Sequence, residues 1–193
     1  MNKRIPQKEQ TRERILDAAY SLFSQRGFID VSTIDVAEDA RVSHGTLFSH
    51  FVTRDELVNA VICRFGENMI KRMHDLAETR NSLRSVLEAH LDCLKESEPF
   101  YSQLLRDLHS LPKNSGLQMI CILSGVSHHI FLAAQNETRD KKILPLPADL
   151  LFNTWIGLVH HYLVNRDVFA TGSSVIAEQR ETLVDHFMTL VKP

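Results

Sequence analysis

Apolar positions recur at helical spacing along nearly the whole chain. Ile15, Ala18, Ala19, Leu22 and Phe23 fall at i, i+3, i+4, i+7 and i+8, one stripe on one helix. Gly27 follows directly, a residue able to adopt the left-handed conformation that closes a helix. Two short helices are predicted next, over residues 32 to about 40 and 43 to about 51, opened by Ser32 and Ser43. Thr53 and Glu56 have capping-box spacing and begin a long helix reaching about residue 80. Leu83, Val86, Leu87, His90, Leu91 and Leu94 mark a helix that Pro99 stops. Further helices are predicted over about 100–109, 117–137, 148–166 and 173–190. Residues 141–147, with Pro145 and Pro147, form a connector, and Gly172 lies in the last turn. No strand or repeat is predicted, so the fold class is all-α with about nine helices. The most apolar run, residues 117–134, contains Gln118, Ser124, Ser127, His128 and His129, which favours a buried helix over a membrane span.

Composition narrows the function classes. The chain has 193 residues, 44% of them hydrophobic, enough for a substantial core. A formal net charge of -2 means that nucleic-acid binding has to rest on local charge. Lys3, Arg4, Lys8, Arg12 and Arg14 face only Glu9 and Glu13; such an arm reaches phosphates or simply solvates a helix start. Cys63, Cys93 and Cys121 are widely spaced with no Cys-x-x-Cys, so neither a zinc site nor a disulfide framework is expected. Three lone thiols fit a reducing cytoplasm, and the charged start excludes a cleavable secretory signal. His128–His129 and His160–His161 are neighbours about 100° apart on a helix, which cannot chelate one ion from the same face. Glu-x-x-His and His-x-x-x-His spacings are missing, so no metal or cofactor is expected, and one imidazole of each pair should face the core.

The two short helices carry the chemistry. Neither is long enough to be stable alone, so both must pack on the first helix through Val36, Ala37, Ala40, Val42 and Leu47. The second opens with Ser43, His44, Gly45 and Thr46, small or hydrogen-bonding groups at a helix N-terminus, where free N–H groups attract phosphate. Gly45 leaves room for a close backbone approach. A helix-turn-helix enters the major groove in this manner, and a plain capped helix in a bundle would look similar.

Residues 9–65 resemble the DNA-binding domain of tetracycline-repressor-type (TetR) regulators. The resemblance rests on Leu22 and Phe23, Gly27 and Phe28, Ser32 and Thr33, Val36 and Ala37, Ala40, Val42 and Ser43. It continues through Gly45, Thr46, Leu47 and Phe48, His50 and Phe51, Arg54, Glu56 and Leu57, all in one register. It implies a DNA-binding domain over residues 1–55 and a helical effector-binding and dimerisation domain over 56–193. Thr33, Phe48, His50 and Arg54 are then expected at the phosphate backbone, with His44, Gly45 and Thr46 near base edges and Ser32 and Ser43 at the helix starts. Three positions depart from the family pattern. Arg41 stands where glycine is usual, so a left-handed turn there would be strained. Phe48 replaces a usual tyrosine and Arg54 a usual lysine.

Beyond about residue 67 only amphipathic helices are visible. The resemblance implies that the last two helices pair across a twofold axis. Leu151, Trp155, Leu158, Val159 and Tyr162, with Leu183, Phe187 and Leu190, are the expected interface, although packing within one subunit also explains them. Phe65, Met69, Phe100, Tyr101, Leu104, Met119, His128 and Phe131 are the expected pocket lining, a mostly apolar set suited to a hydrophobic effector. The expected function is a dimeric repressor of a palindromic operator in double-stranded DNA, released by a small molecule, cytoplasmic and without a membrane partner. A helical-bundle enzyme or metal protein is the alternative from another class. Paired carboxylates, ligand spacing, a nucleophile motif and a phosphate-cradling glycine loop are all missing, so no enzyme is expected. A helical interaction module that has lost DNA binding is the third reading.

Overall fold

The structure, a computed structural model, describes residues 7–172 and 174–193. Lys3 and Arg4 of the basic arm, and Ser173 at the expected start of the last helix, lie outside these residues. The described residues form ten α-helices and one 3-10 turn, with no strand. The helix beyond the expected nine is α9, the four-residue Arg166–Phe169. The chain divides into two compact units. One runs to Phe65 and takes in Pro99–Gln118; the other comprises Gly66–Glu98 and Met119–Pro193. The two units do not follow a single cut at residue 55.

The first unit is built on α1 (Gln7–Arg26). Its predicted stripe is inside: Ile15, Ala18, Ala19 and Phe23 are buried. Gly27 takes φ 83 and its N–H bonds to Phe23 O at 3.0 Å, closing the helix as expected. Helices α2 (Thr33–Asp39) and α3 (His44–His50) follow, then α4 (Arg54–Ala77). Thr53 Oγ1 accepts the Glu56 N–H at 3.1 Å, whereas the Glu56 carboxylate reaches past the cap to the Val52 N–H at 2.6 Å. An aromatic cluster completes the core: Phe23 stacks on Phe28 at 4.6 Å, Tyr20 on Phe100 at 4.4 Å, and Phe65 meets Phe100 at 4.9 Å. Phe100 belongs to α6 (Glu98–Asp107), whose last residue accepts the Phe28 N–H at 2.7 Å. That bond ties the loop after α1 to a second helix.

In the second unit α5 (Leu83–Lys95) lies against α10 (Val175–Val191), and α8 (Ala148–Val164) packs on α10. Trp155 is fully buried, meets Phe187 at 5.3 Å and donates its N–H to His90 Nδ1 at 3.0 Å. The start of α10 is capped twice. Ser174 Oγ accepts the Ala177 N–H at 3.0 Å, and the buried Glu98 carboxylate accepts from Ser174 Oγ, Val175 N and Ile176 N at 2.6, 2.7 and 3.2 Å. A carboxylate at a helix N-terminus meets free N–H groups and the positive end of the dipole. Helix α7 (Lys113–Arg139) packs closely on α4, and a Cβ on Gly66 or Gly125 would come within 2.7 Å of Ile122 or Ile70.

Several sequence expectations need correction. Pro99 does not stop a helix. Helix α5 ends at Lys95, and Pro99 sits in the first turn of α6, where a missing N–H costs nothing. Helix α7 begins at Lys113, four residues earlier than expected, directly after Pro112. It is not a buried helix: it is long and apolar enough to cross a membrane, yet only 33% of its most apolar stretch is buried. Of the expected interface residues, Leu151, Trp155, Val159, Leu183 and Phe187 are buried within the second unit of the single chain. Leu158 and Tyr162 are half-buried and Leu190 is exposed.

Candidate nucleic-acid interface

Helix α2 starts with a complete capping box. Ser32 Oγ accepts the Asp35 N–H at 3.2 Å, and the Asp35 carboxylate accepts the Ser32 N–H at 2.8 Å. Hydrogen bonds from Ser32, with Arg26 beside it, hold the Asp35 carboxyl at about 2. The helix ends in a Schellman motif. Arg41 N–H bonds to Glu38 O and Val42 N–H to Ala37 O, both at 3.0 Å, with Arg41 at φ 52. The left-handed turn expected at Arg41 is therefore present in spite of the side chain.

That turn delivers α3. Ser43 caps it, accepting the Thr46 N–H at 3.0 Å, and its hydroxyl lies 2.8 Å from Thr46 Oγ1. Leu47 is fully buried and anchors the helix on the unit's core. The opposite side of the first turn is open: Ser43, His44 and Gly45 are exposed, and a Cβ on Gly45 would meet only Ser43 Oγ, at 3.9 Å. The first turn holds no acidic residue. Hydroxyls, an imidazole and free N–H groups in this arrangement can bond to phosphate oxygens and to base edges.

Of the remaining expected contacts, Thr33 is half-buried and its hydroxyl lies 3.0 Å from His44 Nε2, linking the starts of the two helices. Phe48 is half-buried and edge-on to the His44 ring at 4.7 Å; His50 is half-buried in the last turn of α3. Arg54 departs from the expectation. Its guanidinium turns inward and donates to Phe28 O and, at 3.3 Å, to Val31 O. The loop between α1 and α2 has carbonyls with no helical partner, and one guanidinium nitrogen of Arg54, Nη2, donates to two of them. Arg12 of the basic arm is also engaged, lying 5.1 Å over the Phe51 ring, while Lys8 and Arg14 are exposed.

Sequence reasoning did not single out the Thr33–His44 link or the exposed apolar side chains of Ile34 in α2 and Val52 after α3. The link joins residues on different helices, and no spacing rule separates Ile34 or Val52 from core positions.

The expected pocket residues are divided between the two units. Phe65, Phe100, Tyr101 and Leu104 are packed in the core of the first unit. Met69 and Met119 are buried in the second, where His128 and Phe131 line an open groove of about 630 Å3 between α7 and the start of α8. The histidine pairs divide as expected into an exposed member, His128 or His161, and a more buried one. Burial lowers His129 and brings His160 to about 4. Among the described residues no three His, Cys, Asp or Glu side chains are placed to hold a metal.

Comparison with known proteins agrees with this geometry. The profile described as bacterial regulatory proteins, tetR family, matches residues 15–61. An HTH-type transcriptional repressor, Rv3405c of Mycobacterium tuberculosis, is 39% identical over 70 residues, 36% of this chain and 37% of the relative's length. The chain thus matches little more than a third of that relative. A putative transcriptional regulator from Saccharomonospora viridis, solved in complex with choline, superposes with TM-score 0.81 at 18% identity, over 96% of this chain and 99% of its own. The regulator FadR from Bacillus subtilis, solved in complex with stearoyl-CoA, gives 0.76 at 14% identity, over 92% and 97%. Residues 15–61 thus match the helix-turn-helix of the tetR family of bacterial regulatory proteins, and the fold is shared with solved regulators along almost the whole chain.

Proposed function

We propose that this protein is a dimeric, sequence-specific DNA-binding repressor that a small effector releases from its operator. The observation that carries the reading is the open first turn of α3, presented by a buried Leu47 and a Schellman turn. His44, Gly45 and Thr46 read base edges, and Ser32, Thr33, Ser43, Phe48 and His50 lie along the phosphates. Two copies are required because a palindromic operator repeats its half-sites about 34–36 Å apart and needs a symmetric reader. Leu158, Tyr162 and Leu190, which keep surface of their own, contribute to the pairing. DNA as partner places the protein in the cytoplasm, and catalysis has no part in the reading.

The effector binds in the region after α4 and acts through its different affinities for two spacings of the reading heads. The relatives solved with choline and with stearoyl-CoA hold chemically unlike molecules, so an effector class does not carry over from them. The apolar composition of the middle helices favours a hydrophobic one.

Selection of bound duplexes from a random library tests the reading. A palindromic consensus whose binding weakens about tenfold or more between 50 and 200 mM salt supports it, since phosphate contacts release counterions. Recovery of no consensus, or affinity indifferent to salt, overturns it. A library of small molecules added to the protein–operator complex then identifies the effector as the compound that lowers retention.

A further inference from the structure

Thr33 and His44 stand 11 residues apart on different helices, yet their side chains meet: Thr33 Oγ1 lies 3.0 Å from His44 Nε2. From the next turn of α3, Phe48 meets the same imidazole edge-on, with ring centroids 4.7 Å apart and planes at 89°. Both ends of the link sit on fixed backbone. The Ser32–Asp35 capping box holds the start of α2, and Ser43 holds the start of α3 through the Thr46 N–H. The exposed imidazole is therefore held on two sides, while its Nδ1 has no hydrogen-bond partner among the described residues.

Two hydrogen-bond patterns fit this link, because a hydroxyl can give or take and a neutral imidazole has one nitrogen of each kind. When the hydroxyl donates to Nε2, Nδ1 carries the ring proton. When Nε2–H donates to the hydroxyl, Nδ1 is left as an acceptor. A DNA phosphate decides between them. Phosphate oxygens only accept, and an ionised acceptor takes the stronger bond, so a threonine hydroxyl at the backbone gives its proton to the phosphate. Its oxygen can then only accept from Nε2–H. We infer that Thr33 is a positioning residue for His44: bound to phosphate, it holds the ring proton on Nε2, so that Nδ1 accepts from the amino group of an adenine or cytosine. In the major groove only adenine N6 and cytosine N4 present donors, whereas guanine and thymine present acceptors. The relay lets a phosphate contact, which carries no sequence information, set what a base contact reads.

This relay rests on the DNA contacts of the proposed function. Duplexes are selected from a random library by the wild type, His44→Ala, Thr33→Val and Thr33→Ser, each checked for unchanged thermal unfolding. His44→Ala should lose the preference at one position of each half-site. Purine in place of adenine there, or a 4-deamino pyrimidine in place of cytosine, removes the amino group and shows which base is read. The matching analogue should weaken wild-type binding about two- to tenfold, one hydrogen bond, and leave His44→Ala binding unchanged. Thr33→Val, close in shape but without the hydroxyl, should lose the same preference, and Thr33→Ser should restore it. Nitrogen-15 spectra of the wild-type complex should show Nε2 protonated and Nδ1 bare, a readout that needs no variant to fold. A proton on Nδ1 in the complex overturns the inference, as does Thr33→Val weakening all duplexes alike with the preference intact, or a selected consensus that His44→Ala leaves unchanged. Those outcomes leave the DNA-binding reading standing, whereas recovery of no consensus by the wild type overturns both.

Discussion

Trp155 Nε1 donates to His90 Nδ1 at 3.0 Å inside the second unit, and this one bond fixes the histidine tautomer. With Nδ1 accepting, the ring proton sits on Nε2, which is buried without a partner. Trp155→Phe keeps an aromatic ring but leaves the other imidazole nitrogen unpaired as well. The expected loss is about 2–4 kcal/mol, combining a buried unsatisfied acceptor with a smaller side chain, read from urea unfolding. Loss below about 0.5 kcal/mol would show that the bond contributes nothing net.

The same histidine makes stability fall in acid. Burial is the main cause that brings His90 down to about 3, with His160 nearby adding to it. His160 itself is lowered to about 4 by burial. Both groups are neutral when folded and bind protons near pH 6.5 when unfolded, so protons favour the unfolded chain. Their contribution is complete above about pH 6.5 and is lost as pH falls from there towards 4. Each costs up to about 1.4 kcal/mol per pH unit in that window. Denaturant midpoints at pH 7.5, 6 and 5 check the sign: a protein more stable at pH 5 than at pH 7.5 contradicts it.

Glu98 is the sharpest case of a residue that the sequence could not explain. It caps α10 across 76 residues through three hydrogen bonds, one of them from Ser174. Glu98→Ala strands two backbone N–H groups at the start of a helix that carries much of the core. The expected loss is about 2–4 kcal/mol, from two buried N–H groups left without an acceptor, and Glu98→Gln should recover part of it. Thermal unfolding of the pair of variants decides.

What the sequence made legible was local. The stripe on α1, the Ser32 and Ser43 caps and the open tip at Gly45 follow from spacing and residue type over a few positions, and the left-handed turn at Arg41 from the family resemblance. What it hid was tertiary. Trp155 and Phe187 read as interface, with core packing almost as good an account, because an apolar face does not say what it faces. Arg54 is expected at the phosphates from the resemblance alone, and the carbonyls it meets lie 23 and 26 residues away, beyond any spacing rule. Pro99 read as a stop because the same residue type serves the first turn of a new helix.

Arg41 offers a stabilising change. At φ 52 its Cβ crowds the backbone, a cost of about 1–2 kcal/mol for a non-glycine residue. Glycine removes that cost and returns part of it through a freer unfolded chain, so Arg41→Gly should gain about 0.5–1 kcal/mol. The hydrogen bonds of the Schellman turn are backbone bonds and remain. An unfolding midpoint unchanged or lowered in the variant would mean that the arginine side chain makes a compensating contact.

Phe48 gives the last prediction, on DNA rather than on stability. Its ring is half-buried, held edge-on by His44 at 4.7 Å on the helix whose first turn is open. A hydroxyl at the para position would extend from that ring without displacing core, and at the phosphate backbone it would donate one neutral hydrogen bond worth about 0.5–1.5 kcal/mol. Phe48→Tyr should therefore tighten operator binding about two- to tenfold. No charge is added, so the slope of affinity against salt should not change, and a contact to phosphate is indifferent to base sequence, so specific and non-specific DNA should gain alike. A gain confined to the operator would move Phe48 from the backbone to the groove, and no gain would place its ring edge away from DNA altogether.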